Sequence, residues 1–205
     1  MVELSADEFA QRALELDLLT ERQLQDVWRQ VGTREMSGEE FRQQLLRRDL
    51  LTNFQAEKLV RGERFGFFYG KYKVLYMVGS GTFARVYRAV NKETGKVVAV
   101  KVLRARFSED KAHAESFLRE GELLATLRHP NIVPIYEIGT QDGQHYFSMK
   151  LVPGVALSVR MAQLGLREAV RILSIVARAV HYAHQRGLLH RDLKPGNILI
   201  DDAGQ

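Results

Sequence analysis

Cysteine is absent from the 205-residue sequence, which excludes a disulfide framework and any metal site built on thiolates. No apolar run approaches the roughly 18 residues that a membrane span requires. The first residues also lack the basic start and the apolar core of a signal peptide. Together these absences favour a cytoplasmic location, with no membrane segment in this chain.

Runs of basic residues are also absent, although the formal net charge is +5. Residues 1–70 contain 10 Lys+Arg and 13 Asp+Glu, whereas residues 71–205 contain 20 and 12. The cations of the second part are scattered and are not interleaved with aromatic residues. This pattern favours an ordinary solvated surface over a nucleic-acid partner.

The most obvious feature of the first part is a duplication. Residues 5–29 and 37–61 are related by an offset of 32 positions and are identical at 11 of 25 of them. Each copy contains two helix starts with the spacing of a capping box. These starts are Ser5 with Glu8, Thr20 with Gln23, Ser37 with Glu40, and Thr52 with Gln55. We therefore predict that residues 1–60 form four short helices in two helix-turn-helix pairs, with Trp28 filling their core.

The function of this helical module is open at the level of sequence. Its acidic balance argues against DNA binding, because phosphate contacts need cations. A docking module for a protein partner and a plain structural extension are the two remaining interpretations. Residues 61–71 form the predicted linker, and its aromatic residues are expected to pin the module to the rest of the chain. These residues are Phe65, Phe67, Phe68 and Tyr69.

Residues 72–153 have the pattern of a small antiparallel lobe. A strand over 72–78 leads into a glycine-rich loop over 79–86, and Ala84 stands where a third glycine is expected. One methyl group is tolerated there if Ala84 keeps a negative φ. The next strand, 97–102, places Ala99 and Lys101 on the same face.

A helix is predicted over residues 111–127, with Glu120 on its apolar stripe. A carboxylate buried there needs a cation, and Lys101 is the obvious candidate. A hairpin over 132–151 completes a lobe of five antiparallel strands and one helix. Residues 154–205 begin a helical lobe, whose long helix over 166–186 carries an apolar stripe through Val170, Leu173 and Val180.

The segment His190–Asn197 carries the strongest chemical signal in the sequence. Pro195 and Gly196 make it a loop, and the loop places a carboxylate, an ammonium and a carboxamide close together. Asp192 can accept a hydroxyl proton, Lys194 can neutralise a transferring phosphate, and Asn197 can ligate Mg²⁺. These are the groups that phosphoryl transfer requires, because its catalysis is mostly positioning and charge stabilisation.

The glycine-rich loop, the strand with Lys101, the helix with Glu120 and the segment His190–Asn197 follow one another along the chain. With these motifs in this order, residues 72–205 resemble the first half of a eukaryotic-like, bacterial-type protein serine/threonine kinase. The resemblance implies an α+β, protein-kinase-like fold with an N-lobe over 72–153 and the start of a C-lobe over 154–205. It further implies ATP and Mg²⁺ as ligands and Ser/Thr hydroxyls of proteins as acceptors. Lys194, two residues after Asp192, is typical of the serine/threonine class rather than the tyrosine class.

The resemblance also implies a role for each site residue. Asp192 would be the catalytic base, assisted by Lys194, while Lys101 would hold the α- and β-phosphates and Glu120 would orient Lys101. Asn197 would be a metal ligand. The ATP-binding set comprises the glycine-rich loop, the adenine walls, the gatekeeper Met149 and the hinge. Its members are Val78, Gly79, Ser80, Gly81, Thr82, Phe83, Ala84, Val86, Ala99, Lys101, Met149, Lys150, Val152 and Leu199.

The motifs also bear on two alternatives to an active protein kinase. A pseudokinase or ATP-binding scaffold would usually have lost the lysine, the base or the asparagine, and all three are present here. A small-molecule phosphotransferase of related fold is disfavoured by Lys194-Pro195. The family's Asp-Phe-Gly, activation segment and Ala-Pro-Glu are missing from these residues, so we expect a fragment of a longer kinase that is inactive as a 205-residue chain.

Overall fold

The computed structural model describes residues 4–205, so the first three residues of the predicted helical module lie outside it. Its helices are α1 Ala6–Glu15, α2 Glu21–Val31, α3 Gly38–Arg47, α4 Asn53–Val60, α5 Ala105–Ser108, α6 Lys111–Ala125, α7 Leu157–Arg160 and α8 Leu166–His184. Its strands are β1 Phe68–Tyr69, β2 Tyr72–Ser80, β3 Ala84–Asn91, β4 Val97–Leu103, β5 Ile135–Gln141, β6 Gln144–Lys150, β7 Gly154–Ala156 and β8 Leu199–Asp201.

The first four helices begin at the four predicted capping boxes, all of which are present. At each start the hydroxyl accepts the backbone N–H three residues later, and the Glu or Gln there accepts the N–H of the cap residue. The duplication is also visible in the turns between the helices. Asp17 and Asp49 occupy equivalent positions and share the same left-handed φ of 53°, a conformation that Asp tolerates better than most residues.

The core of this helical unit is apolar and dense. Phe9, Phe41, Leu45 and Leu59 are almost completely buried, and the rings of Phe9 and Phe41 meet edge to face at 6.4 Å. Trp28 stacks on Phe41 with ring centroids 4.2 Å apart but remains partly accessible. The prediction that Trp28 fills the core is therefore wrong, since the duplicated phenylalanines fill it and Trp28 lies at its edge.

The kinase-like sheet contains the five predicted strands and a sixth. Its order is β1-β2-β3-β4-β6-β5, with antiparallel pairing throughout. The extra strand β1 comes from the predicted linker. Helix α6 packs on one face, where Phe117 stacks on Phe147 at 5.0 Å. A side chain at Gly121 would approach Ile138 and Phe147 to 3.2 Å, which explains a glycine within this helix.

The helical unit is tied to the edge of the sheet through β2. The β2–β3 register shifts between Val74 and Tyr76, so Leu75 lies at a bulge. Thr52 Oγ1 donates to the Leu75 carbonyl at 2.6 Å, and Gln55 Nε2 donates to the Val74 carbonyl at 2.5 Å. In the opposite direction, Lys73 Nζ donates to the Leu18 carbonyl at 2.6 Å.

The aromatic residues of the predicted linker divide between the two parts. Phe67 is buried in the helical core, Phe68 packs beside it, and Tyr69 is buried in the core of the sheet. These three residues connect the parts as predicted. Phe65 does not, because it lies outside both cores and is 66% exposed.

The last part of the chain is organised by α8 and a two-stranded sheet. Ile172, Ala179 and Ala183 form the buried face of α8, while Val170 and Leu173 of the predicted apolar stripe are exposed. Strand β7, which was not predicted, pairs antiparallel with β8. Within residues 4–205, no helix has the length and apolar character needed to cross a membrane.

Candidate active site

Lys101 and Glu120 form an ion pair between the sheet and α6. Lys101 lies in the middle of β4, opposite Val86 of β3 and Phe147 of β6. Its Nζ is 2.7 Å from Glu120 Oε1 and 5.2 Å from the centre of the Phe147 ring. The predicted pairing is confirmed. The side chains of Lys101 and Glu120 are 27% and 47% exposed. Glu120 is therefore not buried, contrary to the prediction, and a ligand can approach the pair.

The turn in the glycine-rich segment is shorter than the predicted loop over residues 79–86. Gly79 and Ser80 extend β2, while Ala84 and Val86 belong to β3, which leaves only residues 81–83 between the strands. The Gly81 N–H donates to the Ala84 carbonyl at 2.9 Å and closes this turn. Ala84 is buried and is not among the described residues with positive φ, so its methyl group is accommodated as predicted.

Two arginines that the sequence analysis missed hold this turn. Arg104 donates from Nε to the Gly81 carbonyl at 3.1 Å and from Nη2 to Ser80 Oγ at 2.9 Å. Arg106 donates from Nη2 to the Thr82 carbonyl at 3.3 Å. They fix the turn and place two positive charges beside it, a favourable setting for phosphate oxygens. Both arginines come directly after the strand that contains Lys101. Because the end of this strand pairs with Ala84 at the start of β3, residues that follow it lie close to the glycine-rich loop. That position in the sequence could have indicated their role.

The predicted adenine walls lie on four strands, β2, β3, β4 and β8. Ala99 of β4 is buried and pairs with the half-buried Met149 of β6. Val78 of β2 and Leu199 of β8 expose 48% and 46% of their surface, and Val86 is half-buried. Exposed valine and leucine side chains offer the apolar surface that a planar base prefers.

The predicted hinge begins at Lys150, the last residue of β6. Lys150 is exposed and donates its N–H to the Pro134 carbonyl at 3.1 Å, and Val152 is half-buried. Strand β7 comes two residues after Val152 and pairs with β8, in the register Ala156 opposite Leu199. The hinge segment is thereby connected to the strand that directly follows the loop His190–Asn197.

That loop brings Asp192, Lys194 and Asn197 into one hydrogen-bonded cluster. Lys194 Nζ lies 2.9 Å from Asp192 Oδ2, and Asn197 Nδ2 donates to the same oxygen at 2.9 Å. Asn197 Nδ2 also donates to the Asp192 carbonyl at 2.8 Å. Arg191, with φ of 59°, adopts the left-handed conformation that is uncommon for residues other than glycine. This turn places consecutive side chains so that Asp192 faces its two donors.

Hydrogen bonds control the charge of Asp192. The bond from Lys194, followed by the bond from Asn197, lowers the pKa of the Asp192 carboxyl below its ordinary value. An aspartate carboxyl is ionised at neutral pH even without this shift, and the two bonds reinforce that state while leaving Oδ1 free to accept a proton from a hydroxyl. The side chain is exposed, so an acceptor can reach it.

The donor set of this cluster fits Mg²⁺. Asn197 uses its amide nitrogen towards Asp192, which leaves Oδ1 as a hard oxygen ligand. Among residues 4–205, no group of three His, Cys, Asp or Glu side chains forms a metal cage. Mg²⁺ commonly binds through few protein ligands together with water and substrate phosphates, and this mode is compatible with Asn197.

The family model for the protein kinase domain matches residues 72–205, and the chain belongs to the protein kinase family. It is similar to the serine/threonine-protein kinase PrkC of Bacillus subtilis, with 38% identity over 138 residues, covering 66% of this chain and 21% of that protein. It is also similar to the serine/threonine-protein kinase PknA of Mycobacterium tuberculosis, with 39% identity over 144 residues, covering 66% of this chain and 33% of that protein.

Solved structures lead to the same fold. The crystal structure of the Mycobacterium tuberculosis PknI kinase domain superimposes with a TM-score of 0.59 at 34% identity, covering 67% of this chain and 58% of that one.

The chain spans between a fifth and a third of the length of the two curated relatives, PrkC and PknA. The family match begins at residue 72, so the four helices before it lie outside the match.

Proposed function

We propose that the protein is a serine/threonine kinase that transfers the γ-phosphoryl group of ATP to Ser or Thr hydroxyls of other proteins. The observation that carries this proposal is the cluster of Asp192, Lys194 and Asn197. It places a phosphate-neutralising cation and a metal ligand each within hydrogen-bonding distance of one proton acceptor, Asp192. The named relatives, which are serine/threonine-protein kinases, support the same acceptor class.

Each site residue receives a role in this reaction. Lys101, oriented by Glu120 at 2.7 Å, would bind the α- and β-phosphates, while the 81–83 turn would cover the phosphates from above. Ala99, Met149 and the segment 150–152 would bind the adenine. Bound at Asn197, Mg²⁺ would neutralise phosphate charge. Asp192 would orient the acceptor hydroxyl and take its proton, and Lys194 would stabilise charge on the transferring group.

The proposal includes a division of labour along the chain. Residues 72–205 would form the kinase part, with lobes over 72–153 and 154–205, and residues 61–71 would connect it to a helical docking module over 1–60. Because the reaction uses ATP, we propose that this part of the protein works in the cytoplasm.

Incubating the full-length protein with Mg²⁺, γ-labelled ATP and a generic acceptor protein tests the proposed activity. Label should appear on Ser and Thr but not on Tyr. Lys101→Met should remove nearly all transfer, since the phosphates lose their cation, with thermal unfolding unchanged because the lysine is partly exposed. Lys96→Met, which removes an exposed lysine from the neighbouring turn, is the matched control and should keep wild-type activity.

Two results would contradict the proposal. Nucleotide binding without any transfer by the wild type would favour the pseudokinase or scaffold instead. Equal transfer by wild type and Lys101→Met would show that phosphate is not bound at Lys101.

A further inference from the structure

We infer that the groove between α1 and α2 of the helical unit binds a basic, amphipathic helical segment of a partner protein. The groove has a volume of about 700 Å³ and lies entirely within residues 7–34. It is separate from the proposed kinase site, all of whose residues come after residue 77. The inference therefore stands independently of the proposed function.

The floor of the groove is apolar. Leu14, Leu24 and Trp28 line it, and all three pack against the helical core while remaining partly accessible. Trp28 is held in place because its ring stacks on the buried Phe41. A fixed, partly exposed tryptophan beside leucines is the kind of surface on which binding energy concentrates in protein interfaces.

The rim of the groove is acidic. Four carboxylates line it, against two guanidinium groups: Asp7, Glu8, Glu15 and Glu21 face Arg12 and Arg34. Arg12 donates to the Leu59 carbonyl at 3.3 Å, and Arg34 lies over the Trp28 ring at 5.4 Å, so both cations are already engaged. Glu8 and Glu15 are engaged too, by Ser5 and Gln11. Within residues 4–205, neither Asp7 nor Glu21 makes a side-chain hydrogen bond or ion pair, so the two unpaired charges of the rim are both negative. Charge complementarity therefore selects a cationic occupant.

Comparison with the second copy of the repeat shows that Glu8 and Leu14 are kept, whereas four other lining residues are specific to the first copy. At the equivalent positions, Ala56 replaces Leu24, Val60 replaces Trp28, Arg47 replaces Glu15 and Asn53 replaces Glu21. The core residues Phe9 and Phe41 are unchanged between the copies. The first copy therefore differs where the groove needs a large apolar floor and acidic walls, while the duplicated fold requires neither.

The shape indicates the form of the occupant. A groove between two helices accommodates a third helix that presents an apolar stripe at i, i+3, i+4 and i+7. The acidic rim would pair with Lys or Arg on the flanks of that stripe. The proposed partner segment is thus an amphipathic helix with leucine-like residues on one face and basic residues beside them.

The chain offers its own reporter for a test, because Trp28 is its only tryptophan. The full-length protein is titrated with a synthetic peptide of about 18 residues, long enough to form a helix, with Leu on one face and Lys elsewhere. Trp28 fluorescence should change saturably. The double variant Asp7→Asn/Glu21→Gln should bind roughly tenfold more weakly. Glu39→Gln/Glu57→Gln, which removes two carboxylates from the second copy, should bind like the wild type.

A second variant tests the apolar floor. Leu24→Gln should also weaken binding, with an unchanged helical circular dichroism spectrum showing that the unit is folded. Four outcomes would overturn the inference: no saturable change, equal binding of a Leu/Glu peptide, equal weakening by the control variant, or full binding by folded Leu24→Gln. Trp28 fluorescence that depends on protein concentration without peptide would assign the groove to a second copy of the chain, which also overturns it.

Discussion

The helical unit and the kinase part use their polar side chains in different ways. In the helical unit they serve the backbone, since Ser5, Thr20, Ser37 and Thr52 cap helices around a closed apolar core. In the kinase part the prominent polar groups pair with one another and stay accessible. Examples are the ion pairs of Lys101 with Glu120 and of Lys194 with Asp192.

This difference has an energetic meaning. Exposed ion pairs contribute little to folding, typically about 0 to 1 kcal/mol, so the site groups are not retained for stability. Buried phenylalanines and satisfied helix ends contribute much more. Substitutions should therefore separate into those that remove activity without unfolding and those that unfold the helical unit without touching the site.

The largest effect is expected from Asp192→Asn. Loss of the proton acceptor should lower kcat by about 10²- to 10⁴-fold, the usual contribution of general base catalysis. Nucleotide affinity should stay near wild type, because the carboxylate acts on the acceptor hydroxyl. Steady-state phosphorylation assays measure kcat, and nucleotide titration measures the affinity.

If the site residues contribute little to folding, Asp192→Asn should be as stable as the wild type. Asp192 is exposed, so the melting temperature should change little. A large fall in melting temperature, or a loss of nucleotide affinity equal to the loss of turnover, would contradict the assigned role.

The next largest effect is expected from Phe41→Ala in the helical core. Phe41 is 0% exposed, and truncating a buried phenylalanine costs about 3–5 kcal/mol. In a chemical denaturation followed by circular dichroism, the variant should lose its helical signal at a lower denaturant concentration than the wild type. Phe65→Ala is the matched control, since Phe65 lies outside both cores, and it should change stability by less than about 0.5 kcal/mol. Equal effects of the two variants would refute the burial argument.

Much of this organisation was predictable from local sequence. Capping boxes depend on residues three positions apart, so Ser5 with Glu8 and its repeats identified four helix starts correctly. The spacing of Lys101 and Glu120 likewise predicted their pairing, because strand alternation and helix periodicity each fix one side chain.

What escaped prediction depends on long-range packing. Strand β1 forms only because β2 offers an edge to the segment at Phe68. Arg104 and Arg106 reach the glycine-rich loop only through the register of β3 with β4. The prediction that Trp28 fills the core failed because the two duplicated phenylalanines occupy the available volume. The docking of Gln55 on Val74 depends on a bulge that no local pattern reveals.

An intermediate effect is expected from Gln55→Ala at the junction between the two parts. Gln55 is 1% exposed, and it both caps α4 and donates to the Val74 carbonyl. Gln23→Ala is the matched control, because Gln23 caps α2 in the same way but is exposed. Gln55→Ala should cost about 1–3 kcal/mol more than the control, the penalty for leaving a buried carbonyl unpaired. Equal losses in denaturant titrations would mean that the contact with β2 contributes no stability.

The smallest effect is the change that Lys194→Met should make to the pKa of Asp192, which is separate from the loss of transfer expected when a charge-stabilising lysine is removed. The hydrogen bond from Lys194 is the main cause of the lowered pKa of Asp192, so its removal should raise that pKa towards the ordinary value for Asp. Any stabilisation from the ionised form is present above the unfolded pKa and is lost as pH falls through the folded pKa. In the variant the folded pKa lies closer to the unfolded one, so this pH-dependent stabilisation becomes smaller.

NMR titration of ¹³C-labelled aspartate carboxyl groups measures the shift directly, with Asp192→Asn used to assign the resonance. Water screens the exposed carboxylate, which keeps the effect small. The acid limb of kcat/KM should move in the same upward direction. Lys111→Met is the control, since it removes an exposed lysine that pairs with Glu115 instead. A pKa of Asp192 that stays unchanged in Lys194→Met would show that the bond between the two residues does not control the charge of the proposed base.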